Sequence, residues 1–295
     1  MLAESSCGDF VKGQTICTHR LSSSIQCKPE STLRPPPLFF TQPSSSTISF
    51  SLFHKDDVSK PRFREKTILE HLSKVRQIKY DDTLHIKLLI SLKKMMTPSD
   101  IKEYPLWSLI SGEITGFVRF GVFWKNVGFL LEDPVLDFAA TGILGLNCLH
   151  FIFSRHTKLF QTVIRFRCRR SDVDHSTYPL CLVILRLLEG LCVIFELMTP
   201  TGEHYDQSYS YKAYWSVVAD TDGLFRVLIV AISLFEQLWE ENQLTIIDPM
   251  REFVNMDKII RDTLVQVESL LVCSAKNFFA EVEGPAKQYL IKTFL

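Results

Sequence analysis

The chain has no excess of either charge: 33 Lys and Arg stand against 33 Asp and Glu in 295 residues. No global field therefore draws the molecule to nucleic acid or to an anionic membrane, and any electrostatic partner has to be read locally. No C-x-x-C pair occurs among the eight cysteines. Five of them, Cys148, Cys168, Cys181, Cys192 and Cys273, sit in or beside apolar runs, the usage expected of reduced, buried thiols in the cytosol. Also missing is an uncharged stretch of about 20 apolar residues, which a membrane-spanning helix needs. The three most apolar windows, 134–153, 179–198 and 224–239, hold Asp137, Arg186 with Glu189, and Arg226 with Glu236 respectively. Each is expected to be a helix of a soluble core, with no transmembrane segment. No G-x-S-x-G, H-E-x-x-H, Walker A or dinucleotide fingerprint is present. Nothing in the residues points to a hydrolase, dehydrogenase or nucleotide-binding enzyme, and no cofactor or metal is expected. No internal repeat is evident.

What is present is core material: 46% of the residues are hydrophobic, and 22 of them are Phe. The expected architecture is all-α, a single compact multi-helix domain over residues 61–280 with a short C-terminal tail at 281–295. Residues 1–60 carry Ser clusters, a triple proline and no sustained period, and are read as a disordered arm. The arm has no apolar signal core, which argues against secretion. Its Arg20, Lys28 and Arg34 suit a transit peptide, whereas Glu4, Asp9 and Glu30 count against one. Arg34 beside Pro35, Pro36 and Pro37 fits either a polyproline ligand or a stiff linker.

Ile68, Leu69, Leu72, Val75 and Ile78 fall at helical spacing, and Leu84, Ile86, Leu88, Leu89 and Leu92 follow after the Asp81-Asp82 break. Residues 97–121 hold Pro98, Pro105, Gly112 and Gly116 and should be short pieces and loop. The stretch from Trp124 to Phe153 opens on an aromatic anchor and a turn glycine. Asp133 can then cap a helix whose first residue is Pro134. Phe138, Ile143, Leu146, Leu149, Phe151 and Phe153 cover most of that helix's circumference, so it should be buried nearly all round in the middle of the domain. Further helices are expected from Leu159 to Arg170, from Tyr178 to Met198, from Lys212 to Trp239 with a break at Asp220–Gly223, and from Asn255 to Phe279.

Three constellations invite chemistry. Asp220-Thr221-Asp222-Gly223 resembles the middle of a calcium loop, but Val218 and Ile229 occupy the outer ligand positions, and an interhelical turn is the better account. Cys148, His150 and His156 fit no standard zinc spacing. Arg165, Arg167, Arg169 and Arg170 could meet an acidic partner or a lipid phosphate, or simply end a helix in solvent.

The central stretch resembles the signature of the ELMO domain family: Trp, two residues, an aliphatic, Gly-Phe-Gln, three residues, Pro, one residue, Thr-Asp-Phe-Arg-Gly, one residue and Gly, before a Leu-rich helix. Trp124, Val127, Gly128, Phe129, Pro134, Asp137, Phe138, Gly142, Leu144, Leu146 and Leu149 stand in register with it. The resemblance implies coverage of about residues 65 to 275. It also implies one of two roles: a GTPase-activating protein for Arf or Arl small GTPases, as in the domain-only branch, or a scaffold that joins a DOCK-type exchange factor for Rac. The chain looks more like the domain-only branch. It departs from the pattern at Leu130 for Gln, Leu136 for Thr, Ala139 for Arg and Ala140 for Gly. The Arg at that position is thought to act as an arginine finger, and such a finger accelerates phosphoryl transfer by about 10³ to 10⁵. Ala139 cannot supply it, so the resemblance implies a chain that binds the GTP form of its GTPase with weak or absent activation. Arg119 and Arg155 would substitute only if the fold brings them to the same face. Trp124, Gly128, Phe129, Pro134, Asp137 and Phe138 are the expected partner-binding residues, with the alternative that the aromatics only fix the turn against the core. The resemblance implies a cytoplasmic protein, drawn to membranes by its GTPase. The alternative is a non-catalytic adaptor.

Overall fold

The computed structural model describes residues 58–97, 119–168, 177–203, 208–243 and 252–295. All but residues 58–60 of the expected arm, nearly all of the punctuated stretch 97–121, and Arg169 and Arg170 lie outside them. The described residues are helices and their connections, apart from one antiparallel bridge between Ser59 and Lys212.

Helix α1 (Phe63–Gln77) and helix α2 (Asp82–Met96) are the two amphipathic segments expected before the central stretch. Asp81 separates them and caps α2, its carboxylate accepting from the N–H groups of Thr83 at 2.8 Å and Leu84 at 3.2 Å. This satisfies donors that a helix start leaves without partners. Two short helices follow, α3 (Val122–Asn126) and α4 (Pro134–Asp137), and then α5 (Gly142–Arg155).

The single helix expected from Pro134 onward is in fact broken, with a turn over residues 138–141. The cause is tertiary. Gly142 adopts φ +56°, and a Cβ there would lie 1.9 Å from the carbonyl oxygen of Arg76 at the end of α1. The Ile143 N–H donates to the Ile78 carbonyl at 2.9 Å, so α5 begins against the end of α1 instead of continuing α4. Only glycine tolerates both the left-handed backbone and this approach.

Helix α5 lies at the centre, as its all-round apolar pattern predicts. Ile143, Leu144, Leu146, Cys148, Leu149, Ile152 and Phe153 are all buried. Around it pack α1, α2, α6 (Thr157–Arg167), α7 (Leu180–Ile194) and α8 (Gly223–Gln243). Helix α7 ends four residues before the expected Met198. Glu196 takes φ +56° there, and its carboxylate accepts from the Ser210 N–H at 2.9 Å and pairs with Lys212 at 3.3 Å, which turns the chain. Before α8, Trp215–Val218 form a 3-10 turn. Helix α9 (Glu252–Cys273) packs on α8 and α7.

The stretch expected to be a C-terminal tail is structured. After a π turn (Phe279–Glu283), α10 (Gly284–Phe294) packs on α8 and α6, with Ala286, Tyr289 and Leu290 buried. Its apolar side chains are too few and too mixed with Lys to announce a helix by themselves, and the surface offered by α8 decides the matter. Cys148, Cys181 and Cys192 are buried free thiols, and burial pushes the Cys192 thiol up to about 12. Cys273, expected among them, is instead exposed at the end of α9. Among the described residues, no helix is long and apolar enough to cross a membrane.

The charges inside the apolar windows have specific partners. Glu236 on α8 is fully buried and receives Arg167 Nε at 3.1 Å and Nη2 at 2.8 Å, as well as the Tyr178 hydroxyl. Arg167 Nη2 also donates to Glu240 at 2.9 Å, and Tyr289 of α10 donates to Glu240 at 3.0 Å. Arg226 donates through Nε to Glu283 at 3.0 Å and lies 3.6 Å from the centre of the Phe279 ring. Arg167 was expected at a solvated helix end or facing a partner. It does neither, because α8 brings it a buried carboxylate.

Candidate functional site

The turn between α3 and α5 is built from the inside. Trp124 is fully buried and donates its Nε1–H to the Arg119 carbonyl at 2.6 Å. Its ring meets Phe129 edge-on at 5.4 Å, and Phe129 meets Phe138 edge-on at 5.9 Å. Such edge-to-face contacts add about 0.5–1.5 kcal/mol each beyond the area they bury. Gly128 closes the turn with φ +95°, and a Cβ there would stand 2.5 Å from the Leu180 nitrogen at the start of α7. Its carbonyl accepts the Leu182 N–H at 3.0 Å, tying the turn to that helix.

The polar residues of the stretch hold the loop. Asp133 accepts from the Val135 N–H at 3.1 Å, capping α4 as its spacing predicts, with Pro134 in the first turn. Asp137 accepts from the N–H groups of Leu130 at 2.9 Å and Leu131 at 3.4 Å. Burial raises the Asp137 carboxyl above its ordinary value, against the opposing pull of these two donors. Gly121 donates to the Glu132 carbonyl at 3.0 Å, closing the loop's other side.

Trp124, Gly128, Phe129, Pro134 and Phe138 therefore face the interior, and Asp137 is half-buried with one oxygen taken by the loop. What this scaffold presents outward is a different set. Leu130 is 47% exposed and Leu136 58% exposed, with Leu131, Phe120 and Val122 beside them. Ala139 is exposed at the 138–141 turn. Sequence reasoning named Leu130, Leu136 and Ala139 only as departures from the resembled pattern and passed over Leu131, Phe120 and Val122, since an apolar residue in an apolar run carries no sign of which way it points.

Both proposed substitute guanidiniums are held in ion pairs. Arg119 is bound to Asp82 at 2.8 Å and Asp133 at 3.0 Å, and lies over the Phe120 ring. Arg155 ends α5, whose 14 residues span about 20 Å from the turn, and pairs there with Asp222 at 3.3 Å. Beside Ala139 the sequence did not suggest the guanidinium that the fold supplies: Arg76 of α1, itself buried, donates Nη1 to the Ala140 carbonyl at 3.3 Å.

The other candidates disperse. Asp222 is engaged by Arg155, and the Thr221 hydroxyl is held by Asp220 at 3.4 Å. Cys148 is in the core, His150 bonds Ser91 at 3.2 Å, and His156 lies against Phe160. Among the described residues no group of three His, Cys, Asp or Glu side chains is placed to hold a metal ion.

A turn with this internal construction is matched in sequence by the model of the ELMO/CED-12 family, over residues 70–251. The chain belongs to the ELMO/CED-12 family. ELMO domain-containing protein 2 of Bos taurus is 29% identical over 159 residues, covering 50% of this chain and 50% of that protein. ELMO domain-containing protein C of Dictyostelium discoideum is 27% identical over 151 residues, covering 50% of this chain and 22% of that protein. ELMO domain-containing protein 2 of Homo sapiens is 28% identical over 117 residues, covering 37% and 40%. The chain thus spans half the length or less of these relatives. No solved structure matches it. The family match contains the whole signature turn and all of α8. Helices α9 and α10 fall beyond it but pack on α8.

Proposed function

We propose that this ELMO-domain chain is a regulator that binds the GTP form of an Arf- or Arl-type small GTPase through the outer surface of its signature turn, with weak or absent activation of hydrolysis. The observation that carries the reading is the exposed methyl of Ala139 on a turn whose interior residues stand in register with the pattern. In the pattern that the turn resembles, this position holds the activating Arg. Binding then depends on the surface, whereas acceleration depends on a cation placed to within about an ångström of the transferring phosphoryl group. Arg119 and Arg76 are fixed by contacts inside the domain, and Arg155 stands at the far end of α5. The site of action is the cytoplasm, with membrane recruitment through the GTPase.

Single-turnover GTP hydrolysis with a panel of Arf and Arl proteins tests this. The expected result is a rate close to the unstimulated one, together with retained binding of the GTP form. The double change Ala139→Arg, Ala140→Gly is expected to restore part of the acceleration. Brisk stimulation by the unaltered chain, surviving Arg119→Ala, overturns the proposal.

A second reading is a non-catalytic adaptor joining a DOCK-type exchange factor or cytoskeletal partners. It draws on the matched segment also occurring within a much longer relative, of which this chain covers only 22%. Pull-downs with and without residues 1–60 separate the two. Partners lost with the arm favour the adaptor, and a retained, nucleotide-dependent GTPase favours the regulator.

A further inference from the structure

Among the described residues, five exposed large apolar side chains lie at the signature turn and just before it: Leu130, Leu131 and Leu136, with Phe120 and Val122. Hydrogen bonds show that these residues are neighbours. The Gly121–Glu132 bond sets Phe120 and Val122 beside Leu131, and the shared Asp137 oxygen gathers Leu130 and Leu131 toward Leu136. A contiguous exposed apolar patch marks an interaction site in a soluble domain.

The charges at its edge are matched within the chain. Arg119 is held by Asp82 and Asp133, Lys125 pairs with Glu132 at 3.3 Å, and Asp137 is occupied by two N–H groups. An anionic membrane, a nucleic acid or an acidic peptide would need cations that are not already committed. Two of the outward positions, Leu130 and Leu136, are also places where this chain departs from the signature it resembles. The interior residues that shape the turn are in register with it. The scaffold is kept and its outer chemistry is apolar.

We infer that this face docks a folded protein whose own contact surface is apolar and uncharged, with the apolar side chains as the centre of the interface and the self-paired ions as its rim. The inference rests on the proposal that the partner is a GTP-bound Arf- or Arl-type GTPase, and names the chemistry by which that partner is gripped.

The test is titration calorimetry of the full chain against the same panel of GTP-loaded Arf and Arl proteins at low and high NaCl. Binding is expected to change less than about threefold with salt and to show a negative heat-capacity change. Leu130→Gln and Leu136→Thr are each expected to weaken it at least about tenfold, with the thermal unfolding temperature unchanged. Binding that collapses with salt, or that both Leu variants leave intact, overturns the apolar face while leaving the GTPase reading in place. Absence of binding by every panel member overturns the GTPase reading, and this assignment with it. Sedimentation of the chain alone gives a further check: a dimer dissolved by Leu136→Thr hands the face to a second copy. Flotation with phosphatidylcholine vesicles, lost in the same variant, would hand it to a lipid surface. Either result overturns the inference.

Discussion

The signature turn has an inside and an outside that follow different rules. Inside, Trp124, Gly128, Phe129, Pro134 and Phe138 are locked by ring contacts, a left-handed glycine and backbone bonds to α7. Outside, Leu130, Leu136 and Ala139 touch little, and these are positions where the chain departs from the pattern it otherwise follows. A residue that shapes a turn is constrained by many neighbours at once. One that faces outward is constrained only by whatever binds there. The difference teaches that in this domain the recognisable residues are the scaffold, and under the proposed function partner choice falls to the outward ones.

Substitutions on the two faces should therefore separate stability from binding. The largest effect is expected for Trp124→Ala, which empties a fully buried site and should cost about 3–5 kcal/mol in denaturant unfolding. A loss under about 1 kcal/mol there would mean that the inside is not the scaffold. Next, Gly142→Ala forces a side chain into a left-handed conformation and against the Arg76 carbonyl, and should cost about 2–3 kcal/mol by the same measurement. Asp137→Ala leaves the Leu130 and Leu131 N–H groups without their acceptor. It should cost about 1–2 kcal/mol and speed hydrogen exchange at those two amides. On the outer face, Leu136→Thr should shift unfolding by no more than about 0.5 kcal/mol, and a larger loss would place Leu136 in the scaffold.

A pH effect expected away from the turn shows what a different kind of interior does. Burial raises Glu236 to about 7, and Arg167 pulls the other way. A carboxyl raised in the folded state adds stability that is complete below its ordinary value of 4.5 and is lost as pH rises through about 7. The melting temperature of the unaltered chain should thus fall relative to Glu236→Gln as pH is raised across that window. Parallel melting curves would show that the pair stays ionised throughout.

Much of the fold was legible. Asp133 announced its cap, the period of residues 68–92 with the Asp81-Asp82 break announced two helices, and the all-round apolar pattern of α5 announced the centre. The misses share one cause. The break at Gly142, the early end of α7 at Glu196, the docking of α10 and the burial of Arg167 each depend on a group distant in sequence: Arg76, Lys212, α8 and Glu236 respectively. Local pattern carries no information about such meetings.

For the candidate site the division is the same. By itself the sequence determined that a family turn is present and that a methyl group stands where the resembled pattern has Arg, because spacing and residue type are local properties. Only the tertiary structure decided which residues of that turn point inward, that Arg119 and Arg155 are held in ion pairs, and that Leu130, Leu136 and Ala139 face outward. The direction of a side chain is set by what the rest of the chain packs against it.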